Sequence, residues 1–547
     1  MHPANPTADP ASAPDWWRRA VIYQVYPRSF ADADGDGTGD LAGVRDRLPY
    51  LAALGVDALW FTPWYRSPQA DGGYDVADYR AVDPAFGTLA DAEDLIAAAL
   101  DHGIRTIVDI VPNHVSDQHP WFQEALAAPP GHPARDRFWF HDGKGEHGDE
   151  PPTRWTSSFS GGTWTRTAGP DGAPGQWYLH LFAPEQPDLN WNHPDVAAEH
   201  EAVLRFWYDR GAAGIRIDSA TMPAKDPALP EVPAHPEPGR HPHMDRDEVH
   251  DVYRSWRKTA DSYAEPRLLI GEVWLEDADR FVRYLRDDEM HMAFNFDFMA
   301  RPWDAAELAE SIRTTLAAHA AVDAPPTWVL SNHDVTRPVT RYGRADSSFA
   351  FTAKRFGTPT DLALGSRRAR AAALLTAALP GVLYVYQGDE LGLPEVEDLP
   401  EGSRQDPMHF RSGGTDPGRD GCRVPLPWTA TGPAFGFNDT GAAWLPQPAG
   451  WGEYAAASQA DDPDSFLNLY REAIRLRRSE PALRGEDFAW IATAPDALAF
   501  RRGEDVACVV NLGDAPADLP AHTEVLIASA PLANGRLARD AAVWLRT

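Results

Sequence analysis

PDVAAEHEAVLRFWYDRG (194–211) followed by GIRID (214–218) is the unit from which the fold is read. The first part has helical period, and the second is a short β-branched run that ends on a carboxylate. The same unit recurs in both directions. DLAGVRDRLPYLAALG precedes ALWFTP (58–63), and LADAEDLIAAALDHG precedes RTIVDIVPN (105–113). SRRARAAALLTAALP precedes GVLYVYQGDE (381–390), and DSFLNLYREAIRLRR (464–478) follows it. Further strands are expected at VIYQVYP (21–27), RLLIGEVW (267–274), MAFNFDF (292–298) and TWVLSNHD (327–334). Eight strand–helix repeats ending on a helix predict an α/β fold, a closed parallel (β/α)8 TIM barrel, over a doubly wound open sheet.

Two segments interrupt the rhythm. Residues 114–194, after the third strand, and 391–460, after the eighth, are rich in Pro, Gly and Trp and have no long helical period. Insertions in βα loops lie on the face where barrels place their active sites. Beyond residue 484 the pattern changes to short alternating runs: FAWIA, ALAFRR, VACVVNL, TEVLIA and AAVWLR. The expected organisation is a disordered N-terminus (1–15), a barrel (16–114 and 195–483), an inserted subdomain (115–194) and a C-terminal antiparallel β domain (484–547).

Composition narrows the function. Asp and Glu number 81 against 50 Lys and Arg, a formal charge of −31 over 547 residues. Such a field repels polyanions, which argues against nucleic acid and anionic membrane as partners. No stretch of ~18 apolar residues predicts a membrane-spanning helix. The polar N-terminus lacks the apolar core of a secretion signal, so a cytoplasmic location is expected. Two cysteines, Cys422 and Cys508, exclude a disulfide scaffold, and a cytoplasmic setting argues against a link between them. Twenty Trp and sixteen Tyr fit core packing and also the stacking of rings on sugar faces.

The acids fall at strand ends. Asp109 and His114 flank the end of the third strand, Arg216 and Asp218 end the fourth, Glu272 the fifth, and His333 with Asp334 the seventh. One Asp at a strand end is usually a cap or a loop ion pair. Four strand ends carrying the pattern together point to acid–base chemistry in one barrel mouth. Glycosidic cleavage needs a proton on the leaving oxygen and a negative charge beside an oxocarbenium ion, which two carboxyl groups supply when their environments differ. Arg216 lies two residues before Asp218, on the same side of a strand, and favours an ionised Asp218. Glu272, among the apolar residues of GEVW, is expected to have a raised pKa and to be the acid.

These residues carry a family resemblance. GDLAGV (39–44), DIVPNH (109–114), QPDLN (186–190), GIRID, GEVW (271–274), SNHD (331–334) and GVLYVYQGDE are collinear over residues 16–547. Together they resemble glycoside hydrolase family 13, the α-amylase superfamily, and within it the exo-acting α-glucosidase and oligo-1,6-glucosidase branch. The resemblance implies a retaining mechanism: Asp218 as nucleophile, Glu272 as acid and base, and Asp334 as stabiliser of the distorted sugar. His114 and His333 would hydrogen-bond the same glucose, and Arg216 would orient Asp218. The two carboxyl groups would stand about 5–5.5 Å apart.

Two further matches bear on exo action. GGYDVADY (72–79) and GRDGCRVPLPW (418–428) place Asp75 and Arg423 where relatives pair an Asp and an Arg to grip the 4-hydroxyl of a terminal glucose. VPLPW departs from the commoner TPMQW, which leaves the shape of that loop open. DADGDGTGD (32–40) implies a structural Ca2+ (or Mg2+) held by Asp32, Asp34, Asp36, the Thr38 carbonyl and Asp40. An EF-hand is excluded because Gly43 stands where a bidentate Glu is required. Ser219, after the nucleophile, leans the linkage preference to α-1,4 and the substrates to small neutral α-glucosides, maltose and short maltooligosaccharides. The alternatives are a transglucosidase or sugar isomerase, and an α-1,6-preferring oligoglucosidase. A non-catalytic barrel subunit would lack one of the three acids, and an endo-acting amylase would lack the Asp–Arg pair.

Overall fold

A computed structural model describes residues 15–169, 172–400 and 402–547. The disorder expected of residues 1–15 falls, Asp15 apart, outside the described residues. The barrel strands are β1 (Val21–Val25), β2 (Ala58–Phe61), β3 (Arg105–Ile110), β4 (Gly214–Ile217), β5 (Leu268–Gly271), β6 (Met292–Ala293), β7 (Thr327–Trp328) and β8 (Val382–Tyr386). Their order is β6–β5–β4–β3–β2–β1–β8–β7, and the neighbouring pairs are parallel. Only the seam between β6 and β7 lacks a backbone ladder among the described residues. It is bridged by one side chain: the Thr327 hydroxyl donates to the Ala293 carbonyl at 2.6 Å.

Side chains alternate as period two requires. Ile22, Trp60, Ile107, Ile270 and Tyr384 fill the barrel interior. Tyr23, Leu59, Val108, Ile215 and Leu269 face outward into the larger helix-packed core. The helices begin where local chemistry allows. Thr88 and Asp91 form a reciprocal capping box on helix Leu89–Asp101. Pro194 opens helix Pro194–Tyr208, where its missing N–H costs nothing. The helix expected over 40–55 is two, Leu41–Asp46 and Leu48–Leu54, because Pro49 suits only the first turn of a new helix.

The strand expected at 292–298 is shorter than its apolar run. Asn295 accepts the Phe298 N–H and caps helix Phe296–Ala300, so the strand stops at Ala293. The strand expected at 327–334 likewise ends at Trp328, which leaves His333 and Asp334 on a loop.

After β3, residues 115–194 hold helix Pro120–Ala127 and a three-stranded antiparallel sheet (Phe140–His141, Trp164–Ala168, Pro174–Leu179) packed on Trp139, Trp155 and Trp164. The C-terminal sheet contains β9 (Ala489–Trp490), β10 (Ala497–Arg502), β11 (Val506–Asn511), β12 (Glu524–Ala528) and β13 (Ala541–Arg546), in the antiparallel order β9–β10–β11–β13–β12. It docks on helix Leu362–Ala378, where Trp544 donates to Leu374 O at 3.1 Å and Arg502 to Ala378 O. Arg477 donates to Ala377 O and Leu379 O at 2.7 Å each. Arginines thus satisfy carbonyls that a helix end leaves open.

Thr327→Val keeps the shape of the β6–β7 seam and leaves the buried Ala293 carbonyl without its donor. The expected loss is about 1–3 kcal/mol in a urea unfolding series. Unchanged stability would show that the hydroxyl does not close the barrel.

Candidate active site

The mouth of the barrel is organised on one cation. Arg216 projects inward from β4, 1 % exposed, and three carboxylates from adjacent strand ends converge on it. Its Nη1 donates to Asp218 Oδ1 at 2.8 Å and to both oxygens of Asp109 at 3.0 Å. Its Nη2 stands 2.9 Å from Glu272 Oε2. Glu272 also accepts the Ser219 N–H at 2.8 Å and the Trp274 indole N–H at 3.0 Å. Asp218 accepts the Ser219 hydroxyl at 2.9 Å.

One buried cation cannot offset three buried carboxylates. Burial, then the Glu272 charge, raise the Asp218 carboxyl well above its ordinary range, and Arg216 opposes them without prevailing. Asp109 is pushed up to about 7, again chiefly by burial. Arg216 does favour an ionised Asp218, as expected, but burial and Glu272 outweigh it in the free site. The guanidinium is divided among three partners, and Asp218 gets a share of its field.

Asp334 has the opposite environment. Its Oδ1 accepts from Arg419 Nη1 at 3.1 Å and Arg423 Nη2 at 2.8 Å. Burial acts upward on it, but His333, Arg419 and Arg423 outweigh burial and hold the carboxyl well below the usual range. The two arginines carry this effect, because burial keeps His333 neutral. The Gln24 amide nitrogen faces His333 Nδ1 at 2.6 Å, which places the ring proton on Nε2, 3.3 Å from Asp334 Oδ2. His114, lowered to about 3 chiefly by burial, is neutral too; its Nε2 meets Gln186 at 3.0 Å.

The expected Asp75–Arg423 pair does not form. Asp75 is fully buried and accepts the Ala70 and Asp71 N–H groups at 2.9 and 3.0 Å. It braces the turn through Gly72 and Gly73, both at positive φ, where a Cβ on Gly72 would meet the Tyr26 hydroxyl at 2.8 Å. Arg423 is spent on Asp334 and, through Nε, on His333 O at 2.8 Å. The ion pair in the cavity wall is Asp71–Arg419, at 2.5 Å, with Asp406 against the same guanidinium. Each of these two residues sits four positions upstream of the one read from the sequence, inside or beside the same motif.

A cavity of about 310 Å3 collects Asp71, His114, Asp218, Glu272, His333, Asp334 and Arg419. Arg216 lies beneath its floor, among Asp109, Asp218 and Glu272. Tyr74, not singled out in the sequence, also lines the cavity and stacks on His333 with centroids 5.3 Å apart. Its hydroxyl donates to Asp109 at 3.1 Å.

The alpha amylase catalytic-domain model matches residues 24–486. The chain belongs to that family. It is a glycoside hydrolase, and a second model, described as Domain of unknown function (DUF3459), matches residues 486–544. A probable α-glucosidase of Rhizobium meliloti (strain 1021) is 36 % identical over 91 % of this chain and 90 % of its own. The oligo-1,6-glucosidase of Parageobacillus thermoglucosidasius is 32 % identical over 85 % and 84 %. Among solved structures, the α-glucosyl transfer enzyme XgtA has a TM-score of 0.84 at 35 % identity, covering 97 % of this chain and 99 % of that one. An isomaltulose synthase mutant from Erwinia rhapontici NX5, in complex with sucrose, has a TM-score of 0.84 at 28 % identity, covering 98 % and 99 %.

In this glycoside hydrolase the acidic loop after β1 gathers three of its carboxylates. Asp32, Asp34 and Asp40 offer oxygens within 4.8 Å of one another. Asp36 falls outside that group; its Oδ1 accepts the Thr38 N–H at 2.7 Å. The loop is clamped from the β8 insertion, where Asn438 donates to Asp32 Oδ2 at 2.6 Å. An all-oxygen donor set with three negative charges fits a hard divalent cation.

Above about pH 7, where Asp109 is ionised, Asp109→Asn leaves Arg216 one charge fewer to offset and so favours ionised Asp218. The kcat/KM–pH profile on an α-glucoside is expected to change in that range and not below it; an unchanged profile above pH 7 would refute the shared-cation account. The native protein holds the Asp109 proton to about pH 7, the unfolded chain only to ~4. The contribution of Asp109 to stability therefore falls as pH rises from ~4 to about 7, and the variant is expected to lack that fall relative to the wild type.

Proposed function

We propose that this glycoside hydrolase is an exo-acting, retaining α-glucosidase that releases terminal non-reducing α-1,4-linked glucose from maltose and short maltooligosaccharides. The observation that supports this best is the grouping of Asp218, Glu272 and Asp334 in one cavity whose wall contains the buried Asp71–Arg419 pair. A charged wall of that kind suits the end of a sugar chain and obstructs its continuation.

In the proposed reaction, Glu272 gives its proton to the leaving oxygen while Asp218 attacks C1. Water then attacks the glucosyl ester, Glu272 takes back a proton, and the α-anomer is released. Ionised Asp334, held by Arg419 and Arg423, engages glucose hydroxyls and balances charge at the transition state. Ser219 lies between acid and nucleophile in a left-handed conformation (φ 45°), bonded to both. A small polar residue there supports the α-1,4 preference.

We place a structural Ca2+ or Mg2+ in the acidic loop, held by Asp32, Asp34 and Asp40. It would fasten the loop after β1 to the insertion after β8. The charge of −31 supports a cytoplasmic setting, and no helix among the described residues is long and apolar enough to cross a membrane.

Transfer of glucose to another acceptor is the second reading. It is favoured by the likeness to XgtA and the isomaltulose synthase.

Proton NMR of maltose and isomaltose with the purified protein tests the main reading: fast release of α-glucose from maltose is expected, and release of the β-anomer would overturn retention. Asp218→Asn is expected to lower kcat by about 10^4-fold or more while leaving the unfolding curve in place. Removal of bound cation with a chelator is expected to lower the thermal midpoint by about 5 °C, restored by Ca2+. A midpoint indifferent to both would remove the metal from the account.

A further inference from the structure

Gln24 is a polar residue at a position where the barrel interior is otherwise apolar. It lies on β1, in register with Trp60 on β2 and Tyr386 on β8, and is 2 % exposed. Ile22, two residues earlier on the same strand, points the same way and packs with Trp60 and Tyr384. The Gln24 Oε1 is buried with no donor among the described residues. An unpaired buried acceptor costs free energy that a leucine here would not. Packing therefore does not account for the glutamine.

The side chain makes one polar contact. Its Nε2 stands 2.6 Å from Nδ1 of His333, on the loop after β7. That ring lines the cavity, and its other nitrogen, Nε2, is 3.3 Å from Asp334 Oδ2. Tyr74 lies parallel to the ring, at an interplanar angle of 2°, and Trp60 meets it edge-on with centroids 6.0 Å apart. The His333 backbone is fixed as well: its carbonyl accepts from Arg423 Nε at 2.8 Å and from Cys422 Sγ at 3.2 Å. These neighbours hold the ring in place. They do not decide which nitrogen carries the proton.

A neutral imidazole has two tautomers, and the polar surroundings tell them apart. Asp334 is held ionised by Arg419 and Arg423. With the proton on Nδ1, the Nε2 lone pair would face that carboxylate and repel it. With the proton on Nε2, the ring donates towards Asp334 and the cavity, and Nδ1 needs a donor. The Gln24 amide nitrogen is that donor; an amide turned to present Oε1 would draw the proton back to Nδ1. We infer that Gln24 is a positioning residue of the proposed reaction, acting from inside the barrel to hold His333 in the Nε2–H tautomer. Gln24 itself does not line the cavity, so it acts only through the ring. The inference rests on the α-glucosidase reading of the same site, in which the donor edge of His333 meets the sugar beside Asp334.

The test uses the whole protein with 4-nitrophenyl α-glucoside, read by nitrophenolate release. Gln24→Met keeps the length of the side chain and removes its donor. Gln24→Asn keeps an amide but is one methylene too short to reach Nδ1. Each is expected to lower kcat about tenfold while KM changes less than twofold, because a donor beside Asp334 counts most as charge develops there. His333→Ala removes the ring through which Gln24 acts, and in that background the same substitutions are expected to cost less than twofold. Urea unfolding curves identify the folded variants, and either substitution alone suffices for the comparison. Equal costs in both backgrounds, a loss confined to KM, or an unchanged kcat in a folded variant would overturn the inference and leave the glucosidase reading intact. Wild-type protein that releases no nitrophenolate would sink that reading, and the inference with it.

Discussion

Everything in the mouth of this barrel depends on one buried guanidinium. Taking an arginine out of solvent costs several kcal/mol, and only close carboxylates return it. β4 delivers Arg216 between β3 and β5, so the neighbours that offset its burial are the residues at those strand ends: Asp109, Glu272 and its own Asp218. The acids are held at separate strand ends yet meet at one point. The shortage of positive charge there leaves Asp218 with a raised proton affinity, and Asp334, with two arginines of its own, remains a permanent anion. Two classes of carboxyl arise in one cavity from a count of nearby cations.

The barrel was legible because its helices and strands have different periods and alternate eight times. The same periodicity overestimated β6 and β7, since an apolar run reads alike whether it continues as strand or turns into a capped helix at Asn295. The acids at strand ends were legible because a strand fixes direction by parity. Where position depends on a turn, parity says nothing. Asp71 and Asp75 are both acids in one loop, and the bend at Gly72–Gly73 sends the first to the cavity and the second underneath it. Arg419 and Arg423 are separated likewise by the tight turn Asp420–Cys422. In the acidic loop, too, one of the four acids, Asp36, lies apart from the group formed by the other three.

The rest of the molecule steadies these turns. Ser29, after β1, donates to Arg423 O and accepts from Trp444, so the β8 insertion is stitched to the first βα loop beside the cavity. Arg337, fully buried, donates to Gln387 O and Cys422 O, tying the loop after β7 to the same insertion. The segment that contains Cys422 and Arg423 is therefore cross-linked by buried polar contacts to several barrel loops. Trp274 and Phe351, from the loops after β5 and β7, meet edge to face with centroids 4.6 Å apart.

On the proposed exo-acting reading, the buried Asp71–Arg419 wall would be the closed end of the pocket, and it would then fix an order of events in time. A pocket with a closed inner end has a single doorway, and the two halves of a cleaved substrate cannot leave side by side. The half nearer the doorway must depart before the inner glucose can follow, and whatever enters in the interval finds the sugar still seated. The residence time of that vacated outer half sets how often a newcomer other than water arrives. Partition between products is therefore a matter of traffic through one opening as much as of bond chemistry.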